Sequence, residues 1–321
     1  MATTVRDKTT APAPLPATTG RLAGKIALVT GAAGNLGQEI VRHYVREGAL
    51  VVMTGRTAER LEGARQALLA ETGADEAQVA TVLLDGADAQ SVRDGIADVV
   101  ARFGRIDILV NNAGSAGPKQ RLEDLPLSNA DLLALQKAGS TDSETVGDAL
   151  RNILGVAWNL VRATAPHMPP GSSIINVSTI FSRTPYFGRT AYVVPKAALN
   201  ALSRELSLEL GPKGIRVNLL FPGPIESDRI RTVFAAMDKM RGDPADTTAK
   251  QYMGMMSLDR LGPDGKLQRR LPEPRDIAMT CLFLGSDESA SLNGHDFEVT
   301  HGMTVRKEER SVYLSRPTMR S

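Results

Sequence analysis

Short β-branched runs alternate with longer amphipathic runs from Lys25 to Val299, and that alternation leaves few folds open to the chain. Ile26–Thr30, Leu50–Thr54, Val79–Leu84, Ile106–Val110, Ser173–Val177, Ile215–Phe221 and His295–Val299 read as strands. Gln38–Glu47, Ala58–Glu71, Gln90–Phe103, Asp148–Ala165, Ala191–Leu210 and Pro274–Leu284 read as helices. Strands that regularly alternate with helices are the signature of a parallel sheet with crossover helices. The expected fold is α/β, a doubly wound parallel sheet of the Rossmann type with helices on both faces, in one domain over about residues 21–305. No internal repeat is visible.

Residues 1–20 are rich in Thr, Ala and Pro and contain no apolar core of a secretory signal, so a disordered leader is expected there. Two segments are longer than such a sheet needs, 115–144 after the fourth strand and 226–271 after the sixth. Segments at the carboxyl ends of parallel strands lie where ligands bind, so both are expected to act as lids. Residues 306–321 are charged and lack a core-like pattern, as a tail or linker would.

Composition excludes several functions. A net charge of +2, from 38 basic and 36 acidic residues, provides no strong field for nucleic acid, and 4% aromatic residues leave little for base stacking. Cys281 is the only cysteine, and His43, His167, His295 and His301 are scattered without ligand spacing, so neither a disulfide nor a metal site is expected. No apolar run approaches the roughly 20 residues that span a bilayer. A soluble, cytoplasmic protein is the expectation.

The chemistry-bearing motifs gather at the strand ends. Thr30-Gly31-Ala32-Ala33-Gly34-Asn35-Leu36-Gly37 lies between the first strand and the first helix. Glycines there permit a tight turn and let a pyrophosphate approach the backbone at a helix N-terminus, where the dipole favours anions. The second strand ends in Gly55-Arg56. An acidic residue at this point pairs with the ribose hydroxyls of NAD, whereas a guanidinium suits a 2′-phosphate, so NADPH is the cofactor expected. Asp85 ends the third strand, as an acceptor for the adenine amino group or as a helix cap. Asn111-Asn112-Ala113-Gly114 ends the fourth, with amides to bridge strand backbones and small residues to leave room.

Tyr192 and Lys196 stand four residues apart, on one face if Tyr192-Val193-Val194-Pro195-Lys196 opens a helix. Pro195 is compatible with a first helical turn. A phenol beside an ammonium can have its pKa of about 10 drawn towards neutrality, which makes it a usable proton donor or acceptor.

Together these residues resemble the short-chain dehydrogenase/reductase family over almost the whole chain: Thr30–Gly37, Asn111–Gly114, Asn152, Ser178-Thr179, Tyr192 with Lys196, and Pro222-Gly223. The resemblance implies an NADPH-dependent oxidoreductase with Tyr192 as general acid in carbonyl reduction. It implies that Lys196 holds the nicotinamide ribose and lowers the tyrosine pKa, and that Asn152 holds a relay water. A hydroxyl orients the carbonyl oxygen in that family, usually thirteen positions before the tyrosine. That position is Thr179 here, and adjacent Ser178 serves instead if the strand end is shifted. The implied cofactor set is Gly31, Gly34, Asn35, Leu36, Gly37, Arg56, Asp85, Asn112, Gly114, Pro222, Gly223 and Ile225 with Tyr192 and Lys196. Asn35 replaces the usual second glycine, and asparagine tolerates positive φ.

A narrower resemblance lies in Val177–Arg183, Phe221–Phe234 and Glu298–Met303, which look like the N-terminal reductase units of bifunctional malonyl-CoA reductases. It implies reduction of malonate semialdehyde to 3-hydroxypropanoate, with the malonyl-CoA-reducing half elsewhere in a longer polypeptide. A carboxylated aldehyde needs a cation, and Arg183, Arg189, Arg229 and Arg231 flank the expected pocket. A homo-oligomer assembled through the Asp148 and Ala191 helices is the family habit. The alternatives are a stand-alone reductase of another carbonyl, 3-oxoacyl or sugar-like, and a non-catalytic NADPH-binding protein.

Overall fold

β1 (Ile26–Thr30) is buried along its whole length, because a central parallel strand covered on both faces has no side left for water. A computed structural model describes residues 19–114, 146–184, 189–262 and 264–305. The chain alternates β1, α1 (Asn35–Arg46), β2 (Leu50–Gly55), α2 (Ala58–Thr72), β3 (Val79–Leu83), α3 (Ala89–Phe103) and β4 (Ile108–Asn111). A composite helix α4 follows, made of Val146–Leu150, a π turn at Arg151–Gly155, and Val156–Thr164. Then come β5 (Ser173–Val177), α5 (Thr190–Leu210) and β6 (Arg216–Pro222). The segment 226–271 contains α6 (Asp228–Arg241), α7 (Thr247–Met255) and a small antiparallel hairpin, β7 (Arg260–Leu261) with β8 (Leu267–Gln268). Helix α8 (Pro274–Gly285) and β9 (Asp296–Val299) end the domain.

Seven strands form one parallel sheet in the order β3-β2-β1-β4-β5-β6-β9. β1 pairs with β2 from Ile26↔Leu50 to Thr30↔Thr54 and with β4 from Ala27↔Ile108 to Val29↔Val110. The strand order reverses between those two neighbours, which opens the crevice where ligands of doubly wound sheets bind. Successive side chains alternate across the sheet. Ala27 and Val29 pack with Ile40, Tyr44 and Ile277 of α1 and α8, while Ile26 and Leu28 pack with Ile96 and Leu160 of α3 and α4.

The α6–α7 unit has its own core of Phe234, Tyr252, Met256 and Leu271, with the Phe234 and Tyr252 rings stacked at 4.8 Å. The buried carboxylate of Asp238 accepts the Thr248 amide at 2.8 Å and ties the two helices together. Phe181 and Met303 pack against this core and against Ile180, Leu219 and Phe221 at the sheet, so the unit is anchored beside the ends of β5 and β6.

Two expectations need correction. Helix α5 starts at Thr190, so Pro195 is its sixth residue rather than a first-turn residue. It withholds the N–H that the Ala191 carbonyl would otherwise accept. The helix expected at Asp148–Ala165 is present, but a π turn interrupts it. The segment 115–144, the leader up to residue 18 and the tail 306–321 lie outside the described residues. Among the described residues no helix is long and apolar enough to cross a membrane.

Candidate active site

The turn after β1 is built around two glycines that nothing larger replaces. Gly31 takes φ +61°, and a Cβ on it would lie 3.1 Å from the Ala113 Cα. A Cβ on Gly37 would meet the Gly31 carbonyl oxygen at 2.2 Å. The left-handed residue is thus Gly31; Asn35 simply opens α1 and needs no positive φ. Gly34 caps α1 without any side-chain hydrogen bond, which leaves the first amides of the helix for an anion. Asn112 fixes the turn from β4. Its Nδ2 donates to the Thr30 carbonyl at 3.0 Å, and the amides of Asn112 and Ala113 donate to Thr30 Oγ1 at 3.0 and 2.9 Å.

A cavity of about 600 Å3 runs from this turn along the ends of β2 and β3. Gly34, Leu36, Arg56, Asp85, Gly114, Asn152 and Ile225 line it. Asp85 is not the helix cap: Asp88 caps α3 by accepting the Ser91 amide at 2.8 Å, and Asp85 accepts the Ala87 amide at 3.0 Å. Asn152 lies in the π turn of α4, a rare geometry that shifts the faces of a helix by one residue and is frequent at functional sites.

The second cavity, of about 330 Å3, adjoins the first and shares Leu36, Asn112, Gly114, Ile225, Ser227 and Arg229 with it. Tyr192, Thr179, Lys196, Pro222 and Gly223 line it. Loss of hydration pushes the Tyr192 phenol above its ordinary pKa. A hydrogen bond with the Thr179 hydroxyl and the charges of Arg189 and Arg229 oppose that rise. Thr179 Oγ1 also accepts the Phe181 amide at 3.4 Å. Ser178 lines the same cavity, but its hydroxyl donates to Asn200 Oδ1 at 2.5 Å. Of the two adjacent hydroxyls, the one that acts on the phenol is that of Thr179.

Lys196 is buried, donates from Nζ to the Val177 carbonyl at 2.6 Å, and is pulled down to about 8 by burial. Lys196 and Tyr192 line the same cavity, and the charges of Arg189 and Arg229 also act on the phenol. The Arg189 guanidinium covers the Tyr192 ring at 4.9 Å. Arg183 and Arg231 do not line the cavity. Arg183 pairs with Glu298 at 3.0 Å and Asp296 at 3.5 Å, and Arg231 with Glu226 at 2.6 Å.

The sequence model of the short chain dehydrogenase family matches residues 25–238, from the lysine before β1 into α6. The chain belongs to the short-chain dehydrogenase family. It is an oxidoreductase. D-threitol dehydrogenase of Mycolicibacterium smegmatis is 32% identical over 89% of this chain and 95% of its own length. The 7alpha-hydroxysteroid dehydrogenase of Clostridium sardiniense is 29% identical over 92% and 99%. Among solved structures, the N-domain of a bacterial malonyl-CoA reductase, with NADP, is 72% identical with a TM-score of 0.81. That match covers 94% of this chain and 55% of the other, so the chain spans about half of that longer protein.

Several residues of this short-chain dehydrogenase site escape sequence reasoning. Arg60 lines the larger cavity one turn beyond Arg56, and that spacing was the available signal. Phe181, Val233, Phe234 and Tyr252 form an apolar wall of the smaller cavity. Their sequence context carries no such signal, because only the packing of α6 and α7 brings them beside Tyr192.

Proposed function

We propose that this short-chain dehydrogenase reduces malonate semialdehyde to 3-hydroxypropanoate with NADPH, as the N-terminal reductase part of a bifunctional malonyl-CoA reductase. One observation carries the reading: the Tyr192–Thr179 hydroxyl pair shares a small cavity with two cations, Arg189 and Arg229. A substrate with a carbonyl at one end and a carboxylate at the other matches that pairing. The 72% identity to a malonyl-CoA reductase N-domain supports the same substrate.

The residues present fit a dinucleotide. The Gly31–Gly37 cradle is one a Cβ would fill, the α1 N-terminus has no side-chain cap, and Arg56 and Arg60 stand on the cavity wall where a 2′-phosphate belongs. NADPH, when bound, supplies the hydride for the carbonyl carbon. Tyr192 gives its Oη proton to the carbonyl oxygen as that oxygen gains charge, a contribution of about 10² to 10⁴ in rate. Thr179 Oγ1 hydrogen-bonds the same oxygen and keeps it in line with the phenol. Lys196 holds the ribose side of the site, Asn152 holds a relay water, and Arg189 with Arg229 holds the carboxylate.

Oxidation of NADPH by the purified chain, followed by absorbance with malonate semialdehyde against neutral aldehydes and ketones, tests the reading. A higher kcat/KM for neutral carbonyls than for malonate semialdehyde sinks the substrate assignment. The apolar wall of Phe181, Val233, Phe234 and Tyr252 favours a second reading, reduction of another aldehyde or ketone, and the same panel decides it. Trp158 on α4, with Val194 and Leu208 on α5, are large apolar side chains left exposed, which supports assembly into a homo-oligomer. A monomer by light scattering removes that part.

A further inference from the structure

Behind Thr179 lies a set of hydrogen bonds that the proposed chemistry leaves unused. Asn200, on α5 one turn beyond Lys196, is buried. Its Oδ1 accepts the Ser178 hydroxyl at 2.5 Å, and its Nδ2 donates to Ser182 Oγ at 2.9 Å. Ser182 Oγ in turn donates to the Thr179 carbonyl at 2.6 Å. The residue before Thr179 and the residue three after it are thus tied to one carboxamide. That carboxamide belongs to the helix carrying Tyr192 and Lys196.

We infer that Asn200 is a positioning residue that, through Ser178 and Ser182, sets the Thr179 hydroxyl against Tyr192. The inference rests on Thr179 and Tyr192 acting together in the reaction proposed above. An amide suits the place because one acceptor and one donor are needed there, on a short and stiff side chain. A carboxylate offers only acceptors, so Ser182 would turn its proton towards residue 200 and release the Thr179 carbonyl. Thr179 is buried, and its carbonyl also accepts the Ser182 amide at 3.1 Å. It caps a single turn of 3-10 helix, Ile180–Ser182, and its hydroxyl accepts one amide at 3.4 Å. Groups that must meet a reacting atom need this kind of outer support, since a displacement of about 1 Å costs about a hundredfold in rate.

The test is a double-mutant cycle of Asn200→Asp with Thr179→Ala. Ser182→Ala is the second variant, because Ser182 is half-buried and losing its hydroxyl leaves no large cavity. Turnover is measured with malonate semialdehyde and, in parallel, with propanal; NADPH affinity is measured by fluorescence titration. Asn200→Asp and Ser182→Ala should each lower kcat about ten- to a hundredfold. NADPH Kd should stay within about twofold, because neither residue lines the cofactor cavity. In the Thr179→Ala background neither substitution should lower kcat further. Unchanged kcat in both single variants overturns the inference, and so does full additivity with Thr179→Ala. A Thr179→Ala enzyme with wild-type turnover removes the hydroxyl pair itself and the positioning role with it. The substrate reading fails separately, by a preference for propanal, while the ratios within the cycle still report on Asn200.

Discussion

The Arg189 guanidinium lies 4.9 Å from the centre of the Tyr192 ring, so one cation both covers the phenol and faces the cavity that its hydroxyl lines. Such a contact stabilises by roughly 0.5–2 kcal/mol, more as water is excluded. The same guanidinium lines the cavity, where it can meet a substrate carboxylate. Arg189→Met keeps most of the aliphatic stem and removes the charge. The kcat/KM for malonate semialdehyde should then fall about ten- to a hundredfold, as expected for losing one charge-assisted hydrogen-bond pair. The kcat/KM for propanal should fall less than about threefold. Equal losses on the two substrates in steady-state assays would show that Arg189 serves the tyrosine alone.

The pH dependence of cofactor use follows from Lys196. Burial pulls its ammonium down to about 8, so the charge is present at neutral pH and is lost as pH rises through that value. The kcat/KM for NADPH reports groups of the free enzyme, and it should decline above about pH 8. Tyr192 is held above the ordinary phenol value, so the proton donor persists across that range and does not cause the decline. Lys196→Met should abolish the alkaline limb and leave a uniformly weak NADPH interaction. The linked effect on stability has the opposite sign. Because the folded pKa lies below the unfolded value of about 10.4, the buried charge weakens the fold at neutral pH, and this penalty fades between about pH 8 and 10.4. A kcat/KM profile flat through pH 8 in the wild type would remove the assignment.

The sheet was legible in the sequence because central parallel strands are apolar on both faces, and β1 and β5 fall on the runs Ile26–Thr30 and Ser173–Val177. The glycine turn was legible for a similar reason, since Gly37 has no room for a Cβ. What failed depends on contacts between distant segments. Phe234, Tyr252 and Met256 pack into a small local core, so α6 and α7 lack the broad apolar stripe that marks a helix laid on a sheet. An arginine's role is set by its partner: Arg183 is drawn off the cavity by Asp296 and Glu298 on a strand more than a hundred residues away. The π turn around Asn152 has no known signature in residue type, and Pro195, which reads as a helix opener, stands inside a helix whose start at Thr190 the expected span Ala191–Leu210 nearly met.

Arg56 follows the end of the second strand, and the proposed cofactor preference turns on it. It stands with Arg60, one turn further into α2, on the wall of the larger cavity, and Gly55-Arg56 occupies the point where an acidic residue would select NAD. A guanidinium hydrogen-bonded to a phosphate contributes about 1.5–3 kcal/mol, equivalent to roughly ten- to a hundredfold in affinity. Arg56→Ala should therefore raise the KM for NADPH by that factor and leave the KM for NADH within about twofold. Adding Arg60→Ala should raise the NADPH value again by a smaller step, because a second cation at the same phosphate is partly redundant. Arg56→Asp should go further and favour NADH, since a carboxylate repels the 2′-phosphate and accepts from the ribose hydroxyls. Steady-state KM values for both nucleotides across the series separate these terms. An NADH preference in the wild type, or an NADPH KM that ignores Arg56→Ala, places the selecting charge elsewhere, and Arg60 then becomes the residue to replace alone.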